Sequence, residues 1–154
     1  MVRRVVILAL GACLLHVTAA IAADPEMGTW KLNEAKSKFS AGATKNRAVV
    51  YEPAGDQVKV TVDAVDDKGQ PIHNVWTGKF DGQDYPITGS PTADSRAYTR
   101  VNDHTLTFIE KKGGKVVITG RGVVAADGKS RTVTTSGTNA EGKKTTTSAV
   151  YDKQ

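Results

Sequence analysis

Three residues at alternate positions offer the clearest chemistry in the sequence: Arg96, Tyr98 and Arg100. Alternate residues of a β-strand share one face, so two guanidinium groups and a phenol would lie side by side. If that face points into a cavity, the set can bind an anion. If it points outward, the side chains face water beside acidic residues of neighbouring strands, where ion pairs contribute little. Both orientations stay open, and we favour the solvated one.

No set of residues has the spacing of a catalytic or metal site. Beyond residue 22, His73 and His104 are the histidines, and they form no His-x-His or His-x-x-x-His pair; no cysteine follows that point to complete a zinc site. The serines lie in no Gly-x-Ser-x-Gly motif, and no glycine-rich phosphate loop is recognisable. We therefore predict a protein that is not an enzyme and that uses no metal or cofactor.

The elements that would position these side chains are short strands. Turn-forming residues recur at intervals of about 8–14 residues, which is typical of an all-β meander. Between them, valine, threonine and isoleucine alternate with polar residues, as where Val58, Val60 and Val62 oppose Lys59 and Thr61. We predict an antiparallel up-and-down meander of about ten strands, closing into a barrel because closure removes exposed edges.

The first strand is expected over residues 28–32. Gly28, Trp30 and Leu32 share a face there, and this small, aromatic and aliphatic set suits the closed end of a barrel, which the indole would fill. The following segment, Glu34 to Phe39, is predicted to form a short helical turn. Phe39 is expected either to tuck under the sheet or to cover one mouth of the barrel.

The first 22 residues are predicted to be a signal peptide. Arg3 and Arg4 precede an apolar run, and Ala-Ile-Ala at 20–22 places small residues at the two positions that a signal peptidase reads. The run is shorter than the about 20 apolar residues of a membrane span. We expect cleavage after Ala22 and a periplasmic or secreted protein. Cys13 lies in a weak lipoprotein-like box, which we rank below ordinary cleavage.

Composition argues against a nucleic-acid partner and against an outer-membrane barrel. The formal net charge is +5, but lysines and acidic residues are mixed along the chain, so no nucleic-acid partner is expected. Aromatic residues make up 6% of the chain, too few for the aromatic girdles of an outer-membrane barrel. We expect one barrel domain over 23–154, without a membrane span, that exists as a monomer.

The two ends of the predicted barrel resemble the calycin superfamily. Gly-Thr-Trp-Lys-Leu at 28–32 is similar to the first-strand Gly-x-Trp of lipocalins and to the start of fatty-acid-binding proteins. Val-Tyr-Asp-Lys at 150–153 is similar to the Tyr-Glu-Lys-like end of the latter. The chain also resembles small exported bacterial proteins described as uncharacterised or lipocalin-like. The resemblance implies a calycin-like barrel that binds a small ligand.

Only some of the site residues of these families have counterparts in this sequence. Fatty-acid-binding proteins hold a carboxylate with an arginine two positions before a terminal-strand tyrosine; Tyr151 matches the tyrosine, but Ala149 occupies the place of the arginine. The resemblance therefore implies a carboxylate clamp that is absent or built elsewhere. Lipocalins often place an arginine over the first-strand tryptophan, and Arg121 and Arg131 are the candidates for stacking on Trp30.

The leading hypothesis is a non-catalytic, exported barrel that binds a small neutral or weakly polar ligand in its lumen. The candidate ligand-binding residues are Trp76, Arg96, Tyr98, Arg121 and Tyr151. The alternative is a protein-interaction or inhibitor module of the cell envelope whose lumen is filled by side chains. A cavity of about a few hundred Å³ favours the first hypothesis. A packed lumen with an exposed apolar patch favours the second.

Overall fold

The structure is a computed structural model that describes residues 23–154. The strands are β1 (Gly28–Phe39), β2 (Lys45–Ala54), β3 (Gln57–Val65), β4 (Pro71–Gly78), β5 (Tyr85–Thr88), β6 (Ser95–Asn102), β7 (Thr105–Lys112), β8 (Lys115–Val124), β9 (Ser130–Thr138) and β10 (Lys144–Lys153). Each strand pairs antiparallel with the next, and β10 returns to β1, so the sheet is a closed barrel. The predicted all-β meander of ten strands is confirmed.

Alternation along the strands separates the lumen from the outer surface. In β3, Val60, Val62 and Ala64 are buried while Lys59 and Asp63 are exposed. The same period-two pattern repeats around the barrel, because each residue of a strand points to the side opposite its neighbour. The hydrophobic core therefore lies inside the barrel.

The two ends of the barrel differ, and we call them the base and the mouth. The base is the end at which β1 begins, and Trp30 fills it with no exposed surface. Its indole Nε1 donates a hydrogen bond to the Glu26 carbonyl oxygen at 2.8 Å. The mouth is the opposite end, where β1 finishes at Phe39. The predicted burial of Trp30 at the closed end is confirmed.

The predicted helical turn over Glu34 to Phe39 is wrong, because β1 continues to Phe39. β1 advances from Asn33 to Lys38 while its partner β10 moves only from Val150 to Ser148, so the intervening residues form a bulge. The Ser37 hydroxyl accepts a hydrogen bond from the Val150 amide at 2.9 Å and keeps the strands together. An isolated helical turn is too short to be stable by itself, so pairing with β10 overrides local helix propensity.

A short segment before β1 crosses the base. Asp24 forms a salt bridge with Arg100, and the Lys153 ammonium donates to the Pro25 carbonyl oxygen at 3.0 Å. Glu26 is fully buried beneath Trp30 and Arg131. The predicted signal peptide, including Cys13, lies outside the described residues. Within residues 23–154, no helix is long and apolar enough to cross a membrane.

Candidate ligand-binding site

A cavity of about 120 Å³ occupies the mouth half of the lumen. Its apolar walls are formed by Val49, Val62, Ala64, Ile72, Val133 and Ala149. Hydroxyl groups join the walls on the side of β9 and β10, where Thr135 and Thr147 share a hydrogen bond at 2.7 Å. The rim includes Ser90, Pro91, Thr92 and Asn139. Apolar walls with a few polar groups are typical of small-molecule sites.

An arginine and a glutamate form a buried ion pair on one side of the cavity. Arg96 and Glu110 are directly opposed on β6 and β7, and both line the cavity. The guanidinium donates to one carboxylate oxygen of Glu110 from Nε at 2.8 Å and from Nη2 at 2.5 Å. Burial alone would lower the pKa of Arg96, but Tyr98 and Glu110 raise the pKa above its ordinary value. The Arg96 guanidinium therefore stays charged, and its hydrogen bonds to Glu110 satisfy it.

A second arginine extends this network across the lumen. Arg131 on β9 donates from Nη2 to the Tyr51 hydroxyl at 3.0 Å, and the Tyr51 and Tyr98 hydroxyl oxygens lie 3.4 Å apart. Arg96 Nη1 in turn donates to the Tyr98 hydroxyl at 3.4 Å. A chain of hydrogen bonds thus links both guanidinium groups through two phenols. This chain of hydrogen bonds forms the bottom of the cavity, which we call the floor.

The buried phenols keep their protons at neutral pH. Burial raises the pKa of Tyr151 to about 12, although the nearby Arg131 opposes this shift. Burial also raises the pKa of Tyr98 well above its ordinary value, against the influence of Arg96. Both groups are therefore neutral hydrogen-bonding groups rather than anions. The Arg131 guanidinium remains charged, because Tyr51 and Glu26 raise its pKa by more than burial lowers it.

Two glycines of β8 provide the room that the floor requires. A Cβ atom on Gly120 would lie 2.1 Å from the Phe108 ring, so only glycine lets this ring pack across the strand. A Cβ atom on Gly122 would lie 3.3 Å from Arg131 Nη2. The absence of a side chain at Gly122 leaves room for the Arg131 guanidinium inside the barrel. It is then within cation–π distance of Trp30 and Tyr51, at 5.6 Å and 4.9 Å.

Several polar atoms at the site lack a hydrogen-bond partner within residues 23–154. Asn74 Oδ1 and Arg131 Nε are buried and unpartnered, whereas Arg131 Nη1 makes no hydrogen bond but lies 3.4 Å from a Glu26 carboxylate oxygen. Asn74 is 7% exposed and Arg131 is 5% exposed, and both residues line the cavity. Buried polar atoms are almost always hydrogen-bonded, and an exception in an otherwise satisfied network marks a place where another molecule can supply the partner. The floor thus presents one acceptor and one donor group.

Glu26 lies below Arg131, on the side away from the cavity. One of its carboxylate oxygens is 3.4 Å from Arg131 Nη1, but neither oxygen accepts a hydrogen bond from the described residues. Burial raises the pKa of Glu26, while the charge of Arg131 opposes that shift. The carboxyl group is therefore the poorly satisfied partner of this pair, unlike Glu110 with Arg96.

The predicted site residues divide into three groups. Arg96, Tyr98 and Tyr151 all line the cavity. Trp76 is fully buried, but it packs lower in the barrel, with its ring 4.9 Å from Tyr98, and its Nε1 donates to the Arg96 carbonyl oxygen at 2.8 Å. Arg121 is exposed on the outer face of β8, so its placement in the site was wrong. The candidate that stacks on Trp30 is Arg131.

The favoured orientation of the β6 residues was also wrong. Arg96 and Tyr98 point into the lumen, where they are 5% and 4% exposed. Arg100 is half-buried at the base, where its guanidinium lies 5.0 Å from the centre of the Phe80 ring. The inward orientation of Arg96 is tolerated because Glu110 lies directly opposite on β7 and neutralises the charge of the guanidinium. The expectation that this face of β6 is solvated therefore fails for Arg96 and Tyr98.

Four residues of the floor were not among the predicted site residues: Tyr51, Asn74, Glu110 and Arg131. Each one is a polar residue at an alternate position within an apolar strand face. Asn74, for example, lies between Ile72 and Trp76 on the inner face of β4. This interruption is a signal that the sequence does contain, because an isolated polar group is buried only with partners.

A metal site has no support among the described residues, where no group of three or more histidine, cysteine, aspartate or glutamate side chains is placed to hold an ion. Neither a protein-family model nor a curated protein matches the chain significantly. Among solved structures, the chain is similar to a redesigned β-barrel, mFAP1, bound to DFHBI, with 15% identity, a TM-score of 0.45 and coverage of 86% of this chain and 98% of that one.

A second solved structure, EF1p2_mFAP2b bound to DFHBI, gives a similar result. It shares 13% identity and a TM-score of 0.45, and the alignment covers 86% of this chain and 97% of that one. Neither similarity is close enough to support a conclusion about function. The site must be interpreted from its own residues.

Proposed function

We propose that the protein binds a small, uncharged organic molecule in the mouth half of its barrel. The observation that carries this proposal is the cavity floor, where Asn74 Oδ1 and Arg131 Nε are buried without a hydrogen-bond partner among residues 23–154. A ligand with one group that both donates and accepts, such as a hydroxyl or an amide, would satisfy these atoms. The rest of the ligand would contact the apolar walls.

The size of the cavity limits the ligand. At about 120 Å³ it is smaller than the predicted few hundred Å³. It is close to the about 150 Å³ of an engineered protein cavity that binds benzene. Drug-sized ligands generally occupy about 300–1,000 Å³. We therefore expect one aromatic or branched aliphatic group to be enclosed, and larger ligands would extend through the mouth.

The charges around the cavity favour a neutral ligand. Arg96 is satisfied by Glu110, and Arg131 faces Glu26 at 3.4 Å. An added anion would compete with these carboxylates, and an added cation would have to displace an arginine from them. Either change leaves a buried charge without a partner, which is costly.

The alternative, a protein-interaction module with a filled lumen, has less support. Part of the lumen is open, and within residues 23–154 the exposed large apolar residues are Val101, Ile109, Val116 and Val123. They are separated by polar neighbours: Val123 lies between Thr105 and Thr132, and Ile109 lies beside Thr119. A contiguous apolar patch, which a stable partner surface requires, is not formed by these residues.

Titration with three small aromatic probes tests the proposal. We expect 4-fluorophenol to bind saturably, fluorobenzene more weakly, and 4-fluorobenzoate most weakly, as followed by fluorine NMR at neutral pH. Asn74→Leu should weaken 4-fluorophenol binding to the level of fluorobenzene, because it removes the acceptor. Thr134→Val, on the outer face of β9, is the control and should bind like the unaltered protein. Equal binding of 4-fluorophenol by both variants would refute the proposed role of Asn74.

We also propose that the protein acts outside the cytoplasm. This part rests on the sequence of the first 22 residues alone. Sequencing the amino terminus of protein isolated from its source should give a chain that starts at Ala23. A chain that starts at Met1, or a lipid on Cys13, would contradict it.

A further inference from the structure

The barrel wall is split in its mouth half between β1 and β2. These strands pair only where Gly28–Lys31 lies opposite Ala48–Tyr51. Beyond Lys31, β1 continues to Phe39 along β10 alone. On the other side, the first residues of β2, from Lys45, pair with β3. Because the β1–β2 ladder ends at Lys31, this half of the wall contains a gap that side chains must close.

The gap joins the lumen to a groove on the outer surface. The groove is lined by Glu34, Ser37, Phe39, Ala43, Lys45 and Asp67, among others. Phe39 and Ala43 also line the lumen cavity, and they are the residues that the two linings share. Since Ala43 has a small side chain, the Phe39 ring is the main barrier between groove and cavity.

The Phe39 ring packs against the edge of the core, and on its outer side only weak surface contacts hold it in place. The Lys45 ammonium lies 5.4 Å from the centre of the ring and 3.1 Å from the Glu34 carboxylate. The side chains of Lys45 and Glu34 are 39% and 54% exposed, so water screens both interactions. The ring can therefore move aside without breaking a backbone hydrogen bond.

The other thin part of the wall is filled from inside. β5 has four residues, and its ladders with β4 and β6 are short. At that position the rings of Trp76 and Tyr85 pack edge to face, with centres 5.7 Å apart, and Trp76 is fully buried. Opening there would expose the tryptophan, which makes β5 a poor passage.

We propose that the split between β1 and β2 is the entrance through which the ligand reaches the lumen, and that the Phe39 ring is its gate. This inference rests on the proposed function, since an entrance has a role only if the cavity binds a ligand. The entrance is lateral, and it differs from the axial mouth surrounded by the rim residues. It selects ligands by width, because they must pass between two strands joined only at the base.

The test measures how fast 4-fluorophenol enters and leaves, by fluorine NMR exchange. Glu34→Gln and Lys45→Met should each raise the association and dissociation rates several-fold and leave the Kd unchanged, because neither side chain lines the cavity. Phe39→Trp should slow both rates. A residue with a merely structural role would change the dissociation rate and the Kd together.

The matched control is Lys68→Met. Lys68 forms an exposed ion pair with Glu141 at 2.7 Å between two loops of the axial mouth. If the entrance is lateral, this variant exchanges 4-fluorophenol at the unaltered rate. Faster exchange in Lys68→Met, with unchanged exchange in Glu34→Gln, would overturn the proposal in favour of axial entry. Saturable binding with equal rates in every variant would overturn the gate alone, whereas no saturable binding to the unaltered protein would overturn both proposals.

Discussion

The base and the mouth of this barrel are built from the same ten strands but are packed differently. At the base, Trp30, Trp76 and Leu106 are almost fully buried and fill the lumen. At the mouth, the inner positions carry smaller residues such as Thr135, Thr147 and Ala149, and a cavity remains. One alternating pattern therefore serves two purposes: large inner residues stabilise one end, and small ones leave space at the other.

The comparison is tested most strongly by removing one aromatic ring from each end. Trp30→Ala should lower the free energy of unfolding by about 3–5 kcal/mol, because it leaves a cavity beneath the buried network. Phe39→Ala should cost less than about 1 kcal/mol, since its ring is only partly buried. Chemical denaturation of both variants provides the comparison. Similar losses in the two variants would show that the ends are equally packed.

The buried ion pair of Arg96 and Glu110 beside the cavity should give an effect of similar size. Arg96→Met should cost about 3–5 kcal/mol, because it leaves the Glu110 carboxylate buried without its cation. The double variant Arg96→Met with Glu110→Leu should recover most of this loss, since no unpaired charge remains. The check is the free energy of unfolding of the single and double variants. A double variant as unstable as the single one would mean that shape, rather than charge, decides stability there.

At the base, Glu26 should make stability depend on pH. Its folded pKa is raised above the ordinary 4.5, mainly by burial, so the folded protein binds this proton more tightly than the unfolded chain. The stabilisation that comes from this tighter binding of the Glu26 proton is fully present below pH 4.5, and it is lost as pH rises through the folded pKa. The free energy of unfolding of Glu26→Gln, minus that of the unaltered protein, should therefore increase with pH. A difference that stays constant between about pH 4 and pH 8 would contradict the raised pKa.

The smallest effect is expected for the threonines of the mouth. Thr147→Val removes the hydrogen bond to Thr135 but keeps the side-chain shape. We expect a loss of about 0.5–1.5 kcal/mol, the usual net contribution of one hydrogen bond. Thr146→Val, one residue away on the outer face of β10, is the control and should change stability less. A larger loss in the control would show that the mouth threonines are not part of the packed wall.

Features of the fold and the site that depend on local sequence could be predicted. Features that depend on which residues lie opposite each other on neighbouring strands could not. The strands and the burial of Trp30 follow from alternation and turn residues, which are local. The inward orientation of Arg96 does not, because it depends on Glu110 lying directly opposite on β7. β6 also has Ala97 and Val101 on its other face, so hydrophobicity alone favours the opposite orientation.

The helical turn and the wall split show a second limit. Glu34 to Phe39 has a helix-compatible composition, and only pairing with β10 makes it a strand. The β1–β2 ladder ends at Lys31, and beyond that residue β1 pairs with β10 alone. Neither feature can be recognised from a short segment of the sequence alone. The polar floor, by contrast, could have been found from single polar residues such as Asn74 in apolar faces.

The central claim is that a small uncharged molecule contacts Asn74 and Arg131 at the cavity floor. The most direct test is NMR of the side-chain N–H groups during titration with 4-fluorophenol. The account predicts that the Arg131 Nε–H and the Asn74 side-chain amide signals shift together and saturate at one ligand per chain, while the Trp30 indole signal at the base moves little. Saturation with shifts confined to outer-face residues, or with no shift at Arg131 and Asn74, would contradict the account.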